Sequence, residues 1–321
     1  MTGHWVIVGG SGFLGRTLIR GSTVPITVIA RGTVSASRPV SVESWDGETL
    51  GPWVDRLDGA AVLVNLCGRS VDCRYDDRRR REILESRVRS TQVLRDAVSA
   101  CASPPPVWLN ASTATIYRHA LDRSQDEPTG DLGVGFSVGV ARAWEETLLA
   151  GELPRTRRVA LRTSFVLGSE PGGALAILSR LARWGLGGEQ GPGNQYVSWI
   201  HEHDWVRAVR FIVERDALAG PVNLTSPTPV PNHQFMAALR RAARRPFGLP
   251  TPTTLLRLGA VVLRTEPELL LKSRRVVPTR LLDAGFRFAF PEIDAALEHL
   301  LRREKRLAEW ESRPALESTP E

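Results

Sequence analysis

Lysine is almost missing from this chain. Of its 42 basic residues only Lys272 and Lys305 are lysine, and the rest are arginine. Such a bias reflects genome composition more than function. Cysteine is scarce as well. Cys67, Cys73 and Cys101 make an odd number without a CxxC pair, so neither a disulfide framework nor a thiolate metal site is expected, and the reduced cytoplasm is the expected compartment. No apolar run reaches the roughly 18 to 20 residues that a bilayer span needs. The longest, LLRLGAVVL at 255–263, is half that and carries an arginine. No signal peptide is expected either, because strand-like HWVIVGG begins at residue 4.

What is present is ordinary: 42% hydrophobic and 24% charged residues in a chain of 321. That composition suits a soluble globular protein with one large domain or two unequal ones. Net charge is +7, and the densest basic run is RYDDRRRREILESRVRSTQVLR at 74–95. It could attract phosphate or nucleic acid. Carboxylates interleave it, so a solvated helix face is the preferred reading, and nucleic acid is not an expected partner.

Up to about residue 165 short apolar segments alternate with helix-like ones. Strand character marks HWVIVG, ITVIA at 26–30, AAVLVNL at 60–66, VWLNAS at 107–112 and RRVALRTSFVL at 157–167. Long helices are expected at about 78–101, stopped by Pro104 to Pro106, and about 138–150. This alternation predicts an α/β fold: a Rossmann-type doubly wound parallel sheet covered on both faces. After residue 168 the pattern changes to a Gly-rich loop, WGLGGEQGPGNQ at 184–195, and Pro-rich turns at 227–231 and 246–252. These predict a smaller C-terminal cap of helices and loops. SWIHEHDWVRAVRFIVE is expected to return to the sheet domain as strand and helix. The expected division is therefore 1–168 plus about 197–224 for the sheet domain, 169–196 and about 225–303 for the cap, and a tail at 304–321.

The informative stretch is WVIVGGSGFLG at 5–15. A strand must turn sharply into a helix there. Gly9 suits the tight turn, Gly12 leaves room for a phosphate to approach the backbone, and Gly15 lets helix and strand pack closely. The helix N-terminus, beginning with Ser11, Phe13 and Leu14, then offers unpaired N–H groups and partial positive charge. With a second strand about twenty residues on, this context predicts dinucleotide binding. The second strand ends in VIARGT, and no carboxylate follows until Glu43. Arg31 there suits the 2′-phosphate of NADP(H) rather than the ribose hydroxyl of NAD.

The GxxGxxG spacing resembles the short-chain dehydrogenase/reductase superfamily, and GGSGFLG its extended, epimerase-like branch. VNLCG at 64–68 resembles the motif that lines the adenosine side, which puts Leu66, Cys67 and Gly68 among the expected cofactor residues. NASTATIY at 110–117 resembles the motif ending in the active-site hydroxyl, whose position falls on Thr113, with Ser112 beside it. A narrower resemblance covers nearly the whole chain. It is carried by SRV at 86–88, AWE at 143–145, RTSFVLGSEPGGAL at 162–175, SWIHEHD at 198–204, VNLTSPTPVPN at 222–232 and RTEPELLLKSRRVVPTRLLDAGFRFAFP at 264–291. These resemble an atypical NAD-dependent epimerase/dehydratase-like subgroup with a C-terminal domain of unknown function, often called cell-division-inhibitor-like. Arg162, which opens one of these matches, joins the expected cofactor residues. The resemblance also implies a homodimer paired through the superfamily's long fourth and fifth helices.

One absence then matters most. The superfamily's acid/base chemistry uses Tyr-x-x-x-Lys, in which the lysine and the oxidised nicotinamide lower the tyrosine's pKa from about 10. The only tyrosines are Tyr75, Tyr117 and Tyr196, and four residues beyond each stand Arg79, Leu121 and Ile200. The expected helix, GFSVGVARAWEETL, offers Ser137, Arg142 and Glu145 instead. Arg142 either takes the lysine's part or is a surface arginine. Thr113 either bonds substrate or ends a strand. Glu145 either acts as a base or packs with Trp144. His201 and His203 have the spacing of a metal pair, but no third ligand is evident and no metal is expected. Asp204 is expected to cap the following helix. The glycine-rich loop either closes over a ligand or simply connects. Cys67 reads as core rather than nucleophile.

The chain is thus expected to be an NADP(H)-dependent oxidoreductase or nucleotide-sugar-epimerase-like enzyme acting on a small molecule. The alternative is an inactive NADP(H)-binding sensor or scaffold.

Overall fold

The computed structural model describes residues 3–34, 36–71, 73–170, 173–256 and 271–311. Most of the apolar run at 255–263, the 264–270 part of the last matching segment, and the tail from residue 312 lie outside the described residues.

The chain opens with β1 (Trp5–Val8), α1 (Phe13–Gly21), β2 (Ile26–Ala30), β3 (Ser41–Ser44) and β4 (Val62–Asn65). It continues with α2 (Asp77–Ala100), β5 (Val107–Thr113), α3 (Phe136–Leu149) and β6 (Arg157–Thr163). These strands and β10 (Gly220–Leu224) form one seven-stranded sheet in the order β10-β6-β5-β4-β1-β2-β3, parallel throughout. The chain runs outward from β1 in both directions, so the strand order reverses between β1 and β4. A crevice opens there beyond the carboxyl ends of the strands.

Alternation along the strands builds two cores. On β1, Trp5 and Ile7 face one side with Leu18 and Ile19 of α1 and with Trp205, Val209 and Ile212. Val6 and Val8 face the other side, with Leu94 and Val98 of α2, Trp108 and Leu148. Ile7 and Leu18 are fully buried, which at about 25 cal/mol per Å² of apolar surface stabilises the fold by roughly 2 kcal/mol for each such side chain. The wholly buried β1, β2 and β4 read as near-continuous apolar runs for this reason, interrupted only by Thr27 and Asn65.

Three details depart from the sequence reading. β3 carries an exposed and polar pattern, so nothing in its composition announced a strand. The segment expected as one strand at 157–167 breaks at Ser164 into β6 and β7 (Phe165–Leu167). Ser164 N–H donates to Leu224 O, and β7 leaves the main sheet to pair with β9 (Trp199–His201). The strand expected in SWIH is therefore β9, in a two-stranded ladder of its own, while the edge of the main sheet is β10. The helix that follows, α5 (Glu202–Val213), does pack beside α1 on the core.

The remaining elements are α4 (Ala174–Arg183), β8 (Tyr196–Val197), β11 (Val230–Pro231), α6 (Asn232–Ala242), α7 (Thr279–Asp283) and α8 (Ile293–Glu311). Leu175, Trp199, Phe235, Leu239, Leu297 and Leu300 make a third core among α4, α6 and α8. The glycine-rich loop is pinned against residues 249–251: Gly188 N–H donates to Leu249 O at 3.1 Å and Gly191 N–H to Thr251 O at 2.9 Å.

Candidate functional site

The crevice between β1 and β4 is a cleft of about 380 Å³. Of the residues expected from sequence, Gly9, Ser11, Gly12, Arg31, Leu66, Cys67 and Gly68 line it. Gly9 has φ +75°, and a Cβ there would stand 2.9 Å from the Cys67 nitrogen. The turn thus needs glycine twice over, for its dihedral and for the close pass of β4's extension. Gly15 abuts Gly10, where a Cβ would lie 2.5 Å from the Gly10 Cα. Gly12 differs. Its φ is −78°, it precedes α1 as an N-cap without side-chain bonding, and a Cβ would meet nothing nearer than Gly9 O at 3.7 Å. The protein leaves that space open, at the positive end of a helix. This geometry fits a pyrophosphate. Phe13 and Leu14 sit in the first turn of α1; the Phe13 ring packs against Gly168, and Leu14 packs on the core.

Arg31 stands exposed at the end of β2. Cys67 is pushed up to about 12 by burial, with the Arg31 charge pulling weakly the other way. That thiol is no nucleophile near neutrality. Residues that sequence reasoning missed complete the wall: Trp45, Asp46 and Glu48 after β3, and Ser86, Arg89 and Ser90 on α2. The α2 face could have been found from its i, i+3, i+4 spacing. The β3 side had no such signal.

At the ends of β4 and β5 a second set of groups is locked together. Asn65 Nδ2 donates to Asn110 Oδ1 at 2.7 Å, and Trp144 Nε1 donates to Thr91 Oγ1 at 2.9 Å. Ser112 Oγ donates to Glu145 Oε1 at 2.6 Å. Arg162 grips the same carboxylate with a fork, Nε to Oε1 at 2.9 Å and Nη2 to Oε2 at 2.7 Å. Its Nη1 donates to Tyr117 Oη at 2.9 Å, which in turn donates to Asn223 Oδ1 at 3.0 Å. Burial disfavours the Arg162 charge, but the bonds and charge of Glu145 outweigh it and raise its pKa. Burial raises the Tyr117 pKa despite Arg162 beside it. Tyr117 is 1% exposed, and its hydroxyl is already both donor and acceptor. Three residues singled out from the sequence, Ser112, Glu145 and Arg162, are therefore joined in one buried network that ties α3 to β5 and β6.

Thr113 ends β5 half-buried. Its hydroxyl donates to Thr115 Oγ1 at 2.9 Å and accepts from Thr115 N–H at 3.1 Å. Arg142 is exposed on α3, on the side away from the buried Ala141, Trp144 and Glu145.

The histidine pair is rearranged. Only His201 is in a strand; His203 lies in the first turn of α5. His201 is the N-cap, its Nδ1 accepting from His203 N–H at 2.9 Å, while Nε2 lies 3.1 Å from His299 Nδ1. Asp204, expected as the cap, instead accepts from the Ala289 and Phe290 N–H groups at 2.9 and 2.8 Å. The helix starts three residues earlier than its apolar pattern suggested, which moves Asp204 inside it. Among the described residues no cluster of three or more His, Cys, Asp or Glu could hold a metal, and no helix is long and apolar enough to cross a membrane.

Residues 5–224 match the NAD dependent epimerase/dehydratase family, and residues 251–300 match a domain of unknown function (DUF1731). An epimerase family protein of Mycobacterium leprae is 33% identical over 92% of this chain and 95% of its own length. One from Staphylococcus saprophyticus is 30% identical over 93% and 99%. Among solved structures, human epimerase family protein SDR39U1 with NADPH superposes with a TM-score of 0.82, at 27% identity, covering 93% of this chain and 99% of that one.

Proposed function

Since the chain belongs to the NAD-dependent epimerase/dehydratase family, we propose that it is an NADP(H)-dependent oxidoreductase or epimerase-like enzyme acting on a small molecule. The observation that carries this reading is the open Gly12 corner of the cleft together with Arg31 at the end of β2. In this reading Gly9, Ser11, Gly12 and the first turn of α1, from Phe13 to Gly15, receive the pyrophosphate. Arg31 takes the 2′-phosphate, and Leu66 to Gly68 lie along the adenosine side. The sheet domain spans 1–168 and about 197–224, and the cap the segments between and after. The human relative solved with NADPH supports the choice of phosphorylated cofactor.

When bound, NADPH would supply a hydride. The chain's own residues must then hold the reacting carbonyl and manage its proton. Thr113, at the carboxyl end of β5 and half-buried, is the hydroxyl assigned to the first, on exchanging its bond to Thr115 Oγ1 for one to substrate. The ordinary phenol is missing, and Tyr117 does not replace it, being buried and fully bonded. The Glu145–Arg162 pair, with Ser112, holds the floor beneath in one geometry. Arg142, exposed on α3, would contribute only charge.

The same absence favours a second reading, a cofactor-binding sensor that no longer turns over. Purified protein incubated with NADPH and a panel of aldehydes, ketones and nucleotide sugars separates the two. Steady NADPH oxidation with any of them supports the enzyme. Tight NADPH binding with no turnover on the whole panel supports the sensor.

A further inference from the structure

Arg87 is a half-buried cation beside the cleft and outside the Glu145 network. It lies on α2, on the turn after Ile83, and turns inward. Its guanidinium carbon sits 5.0 Å from the centre of the Trp144 ring on α3. A Cβ on Gly68 would stand 3.1 Å from that carbon and 3.2 and 3.3 Å from its two terminal nitrogens. The guanidinium therefore fills a notch bounded by α2, α3 and the extension of β4, and a side chain at position 68 would crowd it. Its hydrogen bond to the protein is from Nη1 to Ile83 O at 2.9 Å, on its own helix. Among the described residues no carboxylate pairs with it.

Three other arginines of α2 have acidic partners: Arg78 with Glu82, Arg79 with Asp76 and Arg89 with Glu85. Buried Arg162 has Glu145. Arg87 is half-buried without a carboxylate partner, and burial pulls its pKa down to about 10. A guanidinium carries five N–H donors in a planar fork. Holding it desolvated and unpaired is costly, unless an anion arrives to complete it.

The notch borders the cleft at Gly68. β4 and β5 run in parallel with Asn65 opposite Asn110, and Gly68 and Thr113 each lie three residues beyond that pair. The open corner at Gly12, by contrast, belongs to α1 on the other face of the sheet. We propose that Arg87 is an anion-recognition residue, and that the substrate is a carbonyl compound carrying a carboxylate or phosphate, gripped by the Arg87 fork over the Trp144 ring. This rests on the cofactor reading given above.

The test uses the full-length protein saturated with NADPH. Calorimetric titration with oxamate and with inorganic phosphate is compared with lactamide as the uncharged control. The expected result is anion binding that lactamide does not show, weakened at least tenfold in Arg87→Gln, less in Arg87→Lys, and unchanged in Arg78→Gln. NADPH affinity stays within twofold in all three variants. Should Arg87→Gln not fold, phenylglyoxal modification of the unaltered protein gives the answer by peptide mapping: oxamate or phosphate should slow modification of Arg87 and not of Arg78. The proposal is overturned if neither anion binds the NADPH-loaded protein, if the variant binds them as well as the parent, or if Arg87 is not protected. It is also overturned if Arg87→Gln loses NADPH affinity while keeping the anion, because the cofactor's own pyrophosphate would then be the partner. Failure of NADPH to bind the unaltered protein would instead sink the cofactor reading.

Discussion

Gly12→Ala separates the cofactor reading from the stability of the fold. The added methyl meets no protein atom closer than 3.7 Å, and the backbone there already has φ −78°. Alanine is a poorer N-cap than glycine by up to about 1 kcal/mol. The ligand-free protein should thus melt within about 2 °C of the parent. If a pyrophosphate lies against that backbone, the methyl occupies its place. Overpacking of this kind costs about 1–3 kcal/mol, which is roughly a 5- to 150-fold loss of NADPH affinity. Gly15→Ala is the contrast. Its methyl would lie 2.5 Å from the Gly10 Cα, so backbone must move and the melting temperature should fall before any ligand is added. The assay is NADPH fluorescence titration alongside thermal melting of both variants. Unchanged NADPH affinity in a normally folded Gly12→Ala protein would refute the placement of the pyrophosphate.

Three further outcomes are expected. Arg31→Asp should weaken NADPH by tenfold or more, the worth of about 1.5–3 kcal/mol for a charged hydrogen bond, and leave NADH nearly unaffected; equal loss for both would remove the case for the 2′-phosphate. Glu145→Gln strands Arg162, whose side chain is 7% exposed, and breaking a buried pair costs about 3–5 kcal/mol, so the melting temperature should fall by on the order of 10 °C. Glu127 accepts the Asn223 N–H at 2.8 Å, and burial raises its pKa. The folded state therefore binds its proton more tightly than the unfolded state. The stabilisation is complete below the ordinary glutamate value and is lost as pH rises through the raised one. In urea titrations from about pH 4.5 to about pH 7, Glu127→Gln should show a less negative slope of stability with pH than the parent.

The glycine turn and the strand–helix alternation were legible because both are local. Gly9, Gly12 and Gly15 lie within seven residues, and each has a steric reason visible in the spacing alone. The parallel sheet followed from the same alternation. What escaped were features settled by distant partners. Ser112, Glu145, Arg162, Tyr117 and Asn223 form one chain of bonds across about a third of the sequence, and no periodicity links them. The break at Ser164 depends on Leu224. The capping role passed from Asp204 to His201 because Ala289 and Phe290 claim the aspartate from the far end of the chain. Arg87 looked like one more member of a basic run, until the structure turned it inward over Trp144.

Titration of the purified, unaltered protein with NADPH and with NADH bears most directly on all of this. The prediction is saturable binding of one equivalent of NADPH, tighter than NADH by at least tenfold. Absence of association with either nucleotide by a folded protein would contradict it.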